Sequence, residues 1–178
     1  MELNASRTAA RTDTAGEPIL MLEQNRALWD PLQIRRGLRT LARARERGGA
    51  CGFYALQAAI VACHAEAAAA ADTDWRRIAG FYAELAALAP SPIVELNRAV
   101  AVGMAEGPQA GLSIVDRLMG EPALKSYHLL PSVRGDLLHR LGRHEEARGA
   151  FQAAAALAGN RREHDLLIRR AAEAAEAR

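Results

Sequence analysis

Aromatic side chains are scarce in this chain of 178 residues: Phe, Tyr and Trp make up 4% of it, so a core has few large anchors. Those available are Trp29, Phe53, Tyr54, Trp75, Phe81, Tyr82, Tyr127 and Phe151. Cysteine is rarer still. Cys51 and Cys63 have no CxxC spacing and no secretory context, which predicts reduced thiols and not a disulfide. Lysine occurs once, at Lys125, and the remaining basic charge is arginine; together with abundant alanine this reads as the codon bias of a GC-rich genome. No stretch approaches the roughly 20 apolar residues that a bilayer-spanning helix needs, and the N-terminus lacks the apolar core of a signal peptide. A cytoplasmic protein without membrane contact is expected. Also missing is the β-branched alternation of a sheet. A net charge of +2 with pI near 8.8 is too weak to mark a nucleic-acid binder.

Half of the residues are apolar, and alanine dominates that half. Alanine is the best helix former and adds little volume, so closely packed helices follow. The length suits one domain or one array. Between Gly135 and Asn160 the chain reads GDLLHRLGRHEEARGAFQAAAALAGN. This has the form of a tetratricopeptide (TPR) hairpin, with a small residue where the helices cross, a glycine at the turn and an Ala-x3-Phe step on the second helix. Gly135, Gly142, Ala147, Phe151 and Ala154 supply these in order. Such a hairpin does not bury its apolar stripe alone, which predicts an all-α, TPR-like stack of antiparallel helical hairpins.

Local signals divide the chain further. MELNASRTAA reads as the tail of a helix whose beginning lies outside the chain, residues 12–16 as a turn, and residues 17–22 as a short extended or irregular segment. Residues 1–30 are thus a junction segment and residues 31–178 the repeat domain. Trp29-Asp30-Pro31 is a helix start, because Asp30 can cap free amides while Pro31 occupies the first helical position. A helix over 31–47 ends at Gly48-Gly49. Residues 53–71 form the next, with Leu56, Ala59, Ile60 and Cys63 on one face. Asp72, Thr73 and Asp74 break it and cap a helix over 75–88, with Ile78, Phe81, Tyr82, Leu85 and Leu88 inward. Ser91-Pro92 repeats the capping device before a helix over 93–105; Gly107-Pro108 turns into one ending near Met119. Helices over 127–141, 143–157 and 163–177 complete the chain, Pro131 interrupting or beginning the first of them.

Arg35, Arg39, Arg43 and Arg47 recur every four residues and form a basic ridge opposite Ile34, Leu38 and Leu41. The ridge either docks on an acidic surface or phosphates, or is a solvated face, as charged helix faces ordinarily are. Asn97 interrupts an apolar pattern in IVELNRAVAVGMA. It either grips an incoming backbone or carboxylate, or ties neighbouring helices together, since a buried polar group must be paired. The histidines lack ligand spacing: His139 and His144 lie on opposite sides of the Gly142 turn, His64 points away from Cys63, and His128 and His164 read as surface residues. No metal, cofactor or catalytic residue is expected, because HExxH, GxSxG, a phosphate-cradling glycine loop and a nucleotide fingerprint are all absent from the sequence. Asp13 with Glu17 and Glu145 with Glu146 read as exposed acids, not as an acid/base pair in a cleft.

Four blocks in order carry a family likeness: RTAARTDTAGEPILMLEQNRALWD (Arg7–Asp30), GFYALQAAIVACHA (Gly52–Ala65), TDWRRIAGFYAELAALAPSPIVELNRAVAV (Thr73–Val102) and YHLLPSVRGDLLHRLGRHEEARGAF (Tyr127–Phe151). With them the chain resembles the long C-terminal extension of a class of extracytoplasmic-function (ECF) RNA polymerase sigma factors. The resemblance implies a TPR-like regulatory module that supports or controls transcription initiation by contacting its own sigma regions, RNA polymerase core or a separate regulatory protein. Regions 2 and 4, which hold the promoter DNA, are expected outside residues 1–178. The family supplies no binding residues. By position, the expected protein contacts are Gln24, Arg26, Trp29 and Asp30 at the junction, and Glu95, Asn97 and Arg98 on the middle hairpin. A stand-alone TPR-type peptide-binding adaptor is the alternative.

Overall fold

Alanine-rich amphipathic segments become helices, and the computed structural model, which describes residues 2–14, 16–48 and 52–176, contains no strand among them. Met1, Gly49, Cys51 and Ala177, which figure in the expectations above, lie outside the described residues. The chain divides into two compact units, 1–89 and 90–178.

In the first unit the helices are α1 (Glu2–Ala5), α2 (Pro31–Glu46), α3 (Phe53–Glu66) and α4 (Trp75–Leu88). The expected N-terminal helical tail is short: α1 is followed by a 3-10 turn at Thr8–Ala10. The turn over residues 12–16 is closed by an isolated antiparallel bridge between Thr12 and Pro18. Asp30 caps α2 as its sequence predicts, accepting hydrogen bonds from the Leu32 and Gln33 amides at 2.8 and 3.2 Å. Leu3, Leu41, Ala59 and Ala62 form a buried cluster, with Leu38, Val61 and Phe81 packed against it. Gly37 makes room for this, since a Cβ there would stand 2.6 Å from Leu3 Cγ.

Three expectations for this unit need correction. The alanine run suggested that α3 would continue to Ala71, but it stops at Glu66, where Ala67 turns extended. The guanidinium of Arg26 donates to the carbonyls of His64 and Ala67 at that end, satisfying acceptors the helix leaves open. The inward face of α4 ends at Leu85, and Leu88 is 53% exposed at the helix end. Nor is every aromatic an anchor: Tyr54, on the first turn of α3, is 82% exposed.

The second unit holds α5 (Pro92–Ala105), α6 (Pro108–Leu118), α7 (Leu129–Arg140), α8 (His144–Ala156) and α9 (Arg161–Glu176), each packed on the next. Antiparallel hairpins follow from the short turns. At the α7–α8 crossing the expected contact is present: a Cβ on Gly135 would stand 2.7 Å from the Phe151 ring. Ala147, Phe151 and Ala154 are buried beside it. Gly142 takes a positive φ of 74°, and the Arg143 amide reaches back to the Leu138 carbonyl, closing α7 in a Schellman turn. The α5–α6 hairpin, whose likeness to the repeat was loose in sequence, crosses even more closely. A Cβ on Gly111 would lie 2.6 Å from the Ala99 carbonyl oxygen and 2.8 Å from Gly103 Cα. Asp116 on α6 pairs with Arg134 on α7 at 2.9 Å, and Arg170 on α9 pairs with Asp136 on α7. One capping expectation fails: Ser91 precedes α5 in extended conformation, yet its hydroxyl caps nothing, and Pro92 alone marks the start. Lys125 follows a 3-10 turn at Pro122–Leu124 and is exposed.

Candidate functional site

Of the junction residues, Gln24 is buried, and Arg26 and Trp29 are drawn into a cluster that also takes in Arg7 and His64. Trp29 closes a 3-10 turn at Arg26–Leu28 and is only 5% exposed. Two guanidiniums approach its ring, with Cζ of Arg26 and Arg7 at 4.8 and 5.6 Å from the ring centroid. Besides the two carbonyls at the end of α3, Arg26 donates to the Thr73 hydroxyl at 3.2 Å, so it ties three segments of the first unit together. Arg7 donates to the side-chain carbonyl of Asn4 at 3.3 Å. His64 is 7% exposed and meets the Trp75 ring edge to face at 5.1 Å. Buried Gln24 donates to the Ile19 carbonyl at 3.2 Å.

The electrostatics of this cluster are one-sided. Burial pushes the Arg7 guanidinium down, and the neighbouring charges of Arg11 and Arg26 act in the same direction. Burial also lowers Arg26, against a raising influence from Asp72. The Asp72 carboxylate itself accepts from the Ala69 amide at 3.1 Å. His64 is lowered to about 4, by burial first and then by Arg26 and Arg7, so its imidazole is neutral at physiological pH. Several buried polar atoms of the cluster have no hydrogen-bond partner: Nε of Arg7 and Arg26, Trp29 Nε1 and His64 Nδ1.

Asp30 behaves differently from its neighbours. Its carboxylate is engaged in capping α2, and the Gln33 amide holds it below the usual range. Sequence spacing gave no hint of Arg7 or His64, because their meeting depends on the chain returning 38 residues after Arg26 to place the end of α3 beside it. The lone signals were a histidine on an apolar helix face and the RTAAR stretch that carries Arg7.

In the second unit, Glu95 and Arg98 answer each other. Arg98 Nε and Nη2 both donate to Glu95 Oε2, at 3.0 and 2.9 Å, one helical turn apart. Asn97 is exposed on α5, so the premise that it sits inside an apolar face is overturned: the helix turns it outward, and Leu96 and Ala99 are the buried positions. The α2 ridge is exposed at Arg35, Arg39, Arg43 and Arg47. Glu146 and Glu145 pair with Arg143 and Arg148 at 2.7 and 3.4 Å. The α7–α8 hairpin does bring His139 and His144 together, with ring centroids 5.2 Å apart. Among the described residues no group of three or more His, Cys, Asp or Glu side chains is placed to hold a metal ion. Burial raises the Cys63 thiol, which lowers its thiolate fraction. No helix among the described residues is long and apolar enough to cross a membrane.

Comparison with known proteins adds two likenesses. The profile of a family of unknown function, DUF6596, matches residues 1–45, the part that contains Arg7, Gln24, Arg26 and Trp29. No solved structure matches the chain. A protein of Rhizobium meliloti (strain 1021), described only as uncharacterized, is 46% identical over 158 residues, which are 89% of this chain and 37% of that protein. The chain is therefore similar to a longer protein, of which it spans little more than a third.

Proposed function

We propose that residues 1–178 are the C-terminal regulatory domain of an ECF sigma factor, a cytoplasmic protein-binding module that acts on transcription initiation through its sigma regions, RNA polymerase or a separate regulatory protein. The observation that carries the reading is the ordered set of four sequence blocks, from Arg7–Asp30 to Tyr127–Phe151, spread over most of the chain. The all-helical architecture is in keeping with it, and so is a relative whose length leaves room for further domains outside the aligned part. The reading assigns no reaction to the chain. DNA contact is left to the sigma regions, and this domain works by presenting side chains to polypeptides.

The test is in vitro transcription from the cognate promoter, comparing the full-length factor with a version lacking this region. A change in transcript yield of several-fold is expected. Equal yield and equal promoter response in the two would remove the regulatory claim. A stand-alone peptide-binding adaptor is the second reading, favoured by the α7–α8 hairpin with its Gly135–Phe151 crossing. An in-frame sigma region encoded upstream of Met1 would decide against the adaptor.

A further inference from the structure

Arginine stands in three settings in this protein: beside carboxylates, solvated along the α2 ridge, and drawn in around Trp29. On the helices, Arg36, Arg77, Arg98, Arg134, Arg143 and Arg170 each sit beside a carboxylate. Around Trp29, by contrast, Arg7 and Arg26 are half-buried and neither forms an ion pair among the described residues. Two cations withdrawn from water beside a neutral imidazole are costly unless an anion completes them. The cost is marked in the geometry by polar side chains that are more than nine-tenths buried yet hold an unpartnered atom, namely Trp29 and His64. Of the nearby carboxylates, Asp30 caps α2, and Asp72, near enough to raise Arg26, accepts from the Ala69 amide and forms no ion pair with it.

We propose that the Arg7–Trp29–Arg26 cluster receives a carboxylate borne by a polypeptide, an Asp or Glu side chain flanked by apolar residues. The planar fork of Arg7, held against the indole, matches a carboxylate in two parallel hydrogen bonds. A polypeptide supplies it because the segment that carries half-buried Arg26 also exposes Leu20, Leu22, Leu28 and Leu32. Acid and aliphatic side chains side by side are what those leucines and arginines together would bury. The inference deepens the protein-binding reading given above and rests on it.

The chain of 178 residues contains two tryptophans, so Trp75→Phe leaves Trp29 as the sole tryptophan, which can be excited apart from the tyrosines. On that background the 178-residue chain is titrated, at constant ionic strength, with N-acetyl-Ala-Leu-Glu-Leu-Ala-amide, its Gln counterpart, succinate and inorganic phosphate. Saturable change in Trp29 emission is expected with the Glu peptide, at least tenfold weaker with Gln, succinate or phosphate. Arg7→Gln should weaken the Glu peptide at least tenfold, and Arg39→Gln on the exposed ridge should leave it unchanged. Should Arg7→Gln lose its helical circular dichroism, Arg7→Lys keeps the charge without the fork and must show the same weakening. Equal response to the Gln peptide, equal or better binding of succinate or phosphate, indifference to Arg7, or no response to any probe would each overturn the proposal. Because the readout is binding and not transcript yield, its failure is separable from that of the regulatory reading.

Discussion

His64 is a base kept without its proton by its surroundings. It lies buried against Trp75, with Arg26 and Arg7 near enough to repel a third positive charge. The folded chain therefore takes up this proton only near pH 4, whereas an unfolded chain does so near the ordinary value of 6.5. In the interval the unfolded state binds more protons, so stability rises with pH there. The contribution is present above about pH 6.5 and lost as the pH falls toward 4, by at most about 3 kcal/mol. Urea unfolding at pH 7 and pH 5 should show the chain losing stability, and a His64→Leu variant should lose markedly less over the same two points. Equal losses would mean that other groups dominate this window. At this scale the sequence was legible where contacts are local or follow a repeat. Gly135, Ala147 and Phe151 occupy the roles their spacing announced. Arg7 with His64 was not legible, because no spacing rule connects residues brought together by tertiary folding. Asn97 misled because a polar residue in an apolar run sits outward when the run is longer than the buried face requires.

Helix boundaries in this chain are set by particular side chains, and the reliable ones were those with a charged cap. Asp30 and Asp74 both cap as expected, accepting from amides two to three residues ahead. Ser91 does not, although Pro92 starts α5 at the expected place. The end of α3 escaped detection for a physical reason: alanine propensity favours helix through residues 67–71, and what terminates it is a guanidinium from far along the chain. Asp30→Ala should lower stability, read as a lower urea midpoint with unchanged slope. Because the Asp30 carboxyl is held below its usual range, the cap should survive to mildly acid pH, and no part of the cost should vanish between pH 7 and pH 5. A midpoint unmoved by the substitution would show that Pro31 alone fixes the start of α2.

For the whole molecule, an all-helical composition was legible from alanine content, caps and the missing strand pattern. The division at Ala89–Pro90 was not, because Pro90 and Pro92 read equally well as an ordinary turn between hairpins. Residues 90–178 contain their own apolar interior, including Leu112, Val115, Leu138 and Phe151, and glycine-spaced crossings that bring backbones close. Expressed alone, that segment should be helical by circular dichroism and melt in one cooperative transition. A broad, non-cooperative melt would show that it depends on the preceding residues for its order.

Lys125 gives the molecule an experimental character of its own. With a single ε-amine in 178 residues, and that one exposed after a short turn, amine-reactive crosslinkers would be nearly blind to this domain. Reagents that couple carboxylates or insert without chemical preference are the ones suited to chart its neighbours. The same scarcity turns into an asset for spectroscopy, since one succinimidyl dye would mark one side chain, in the unit that spans residues 90–178.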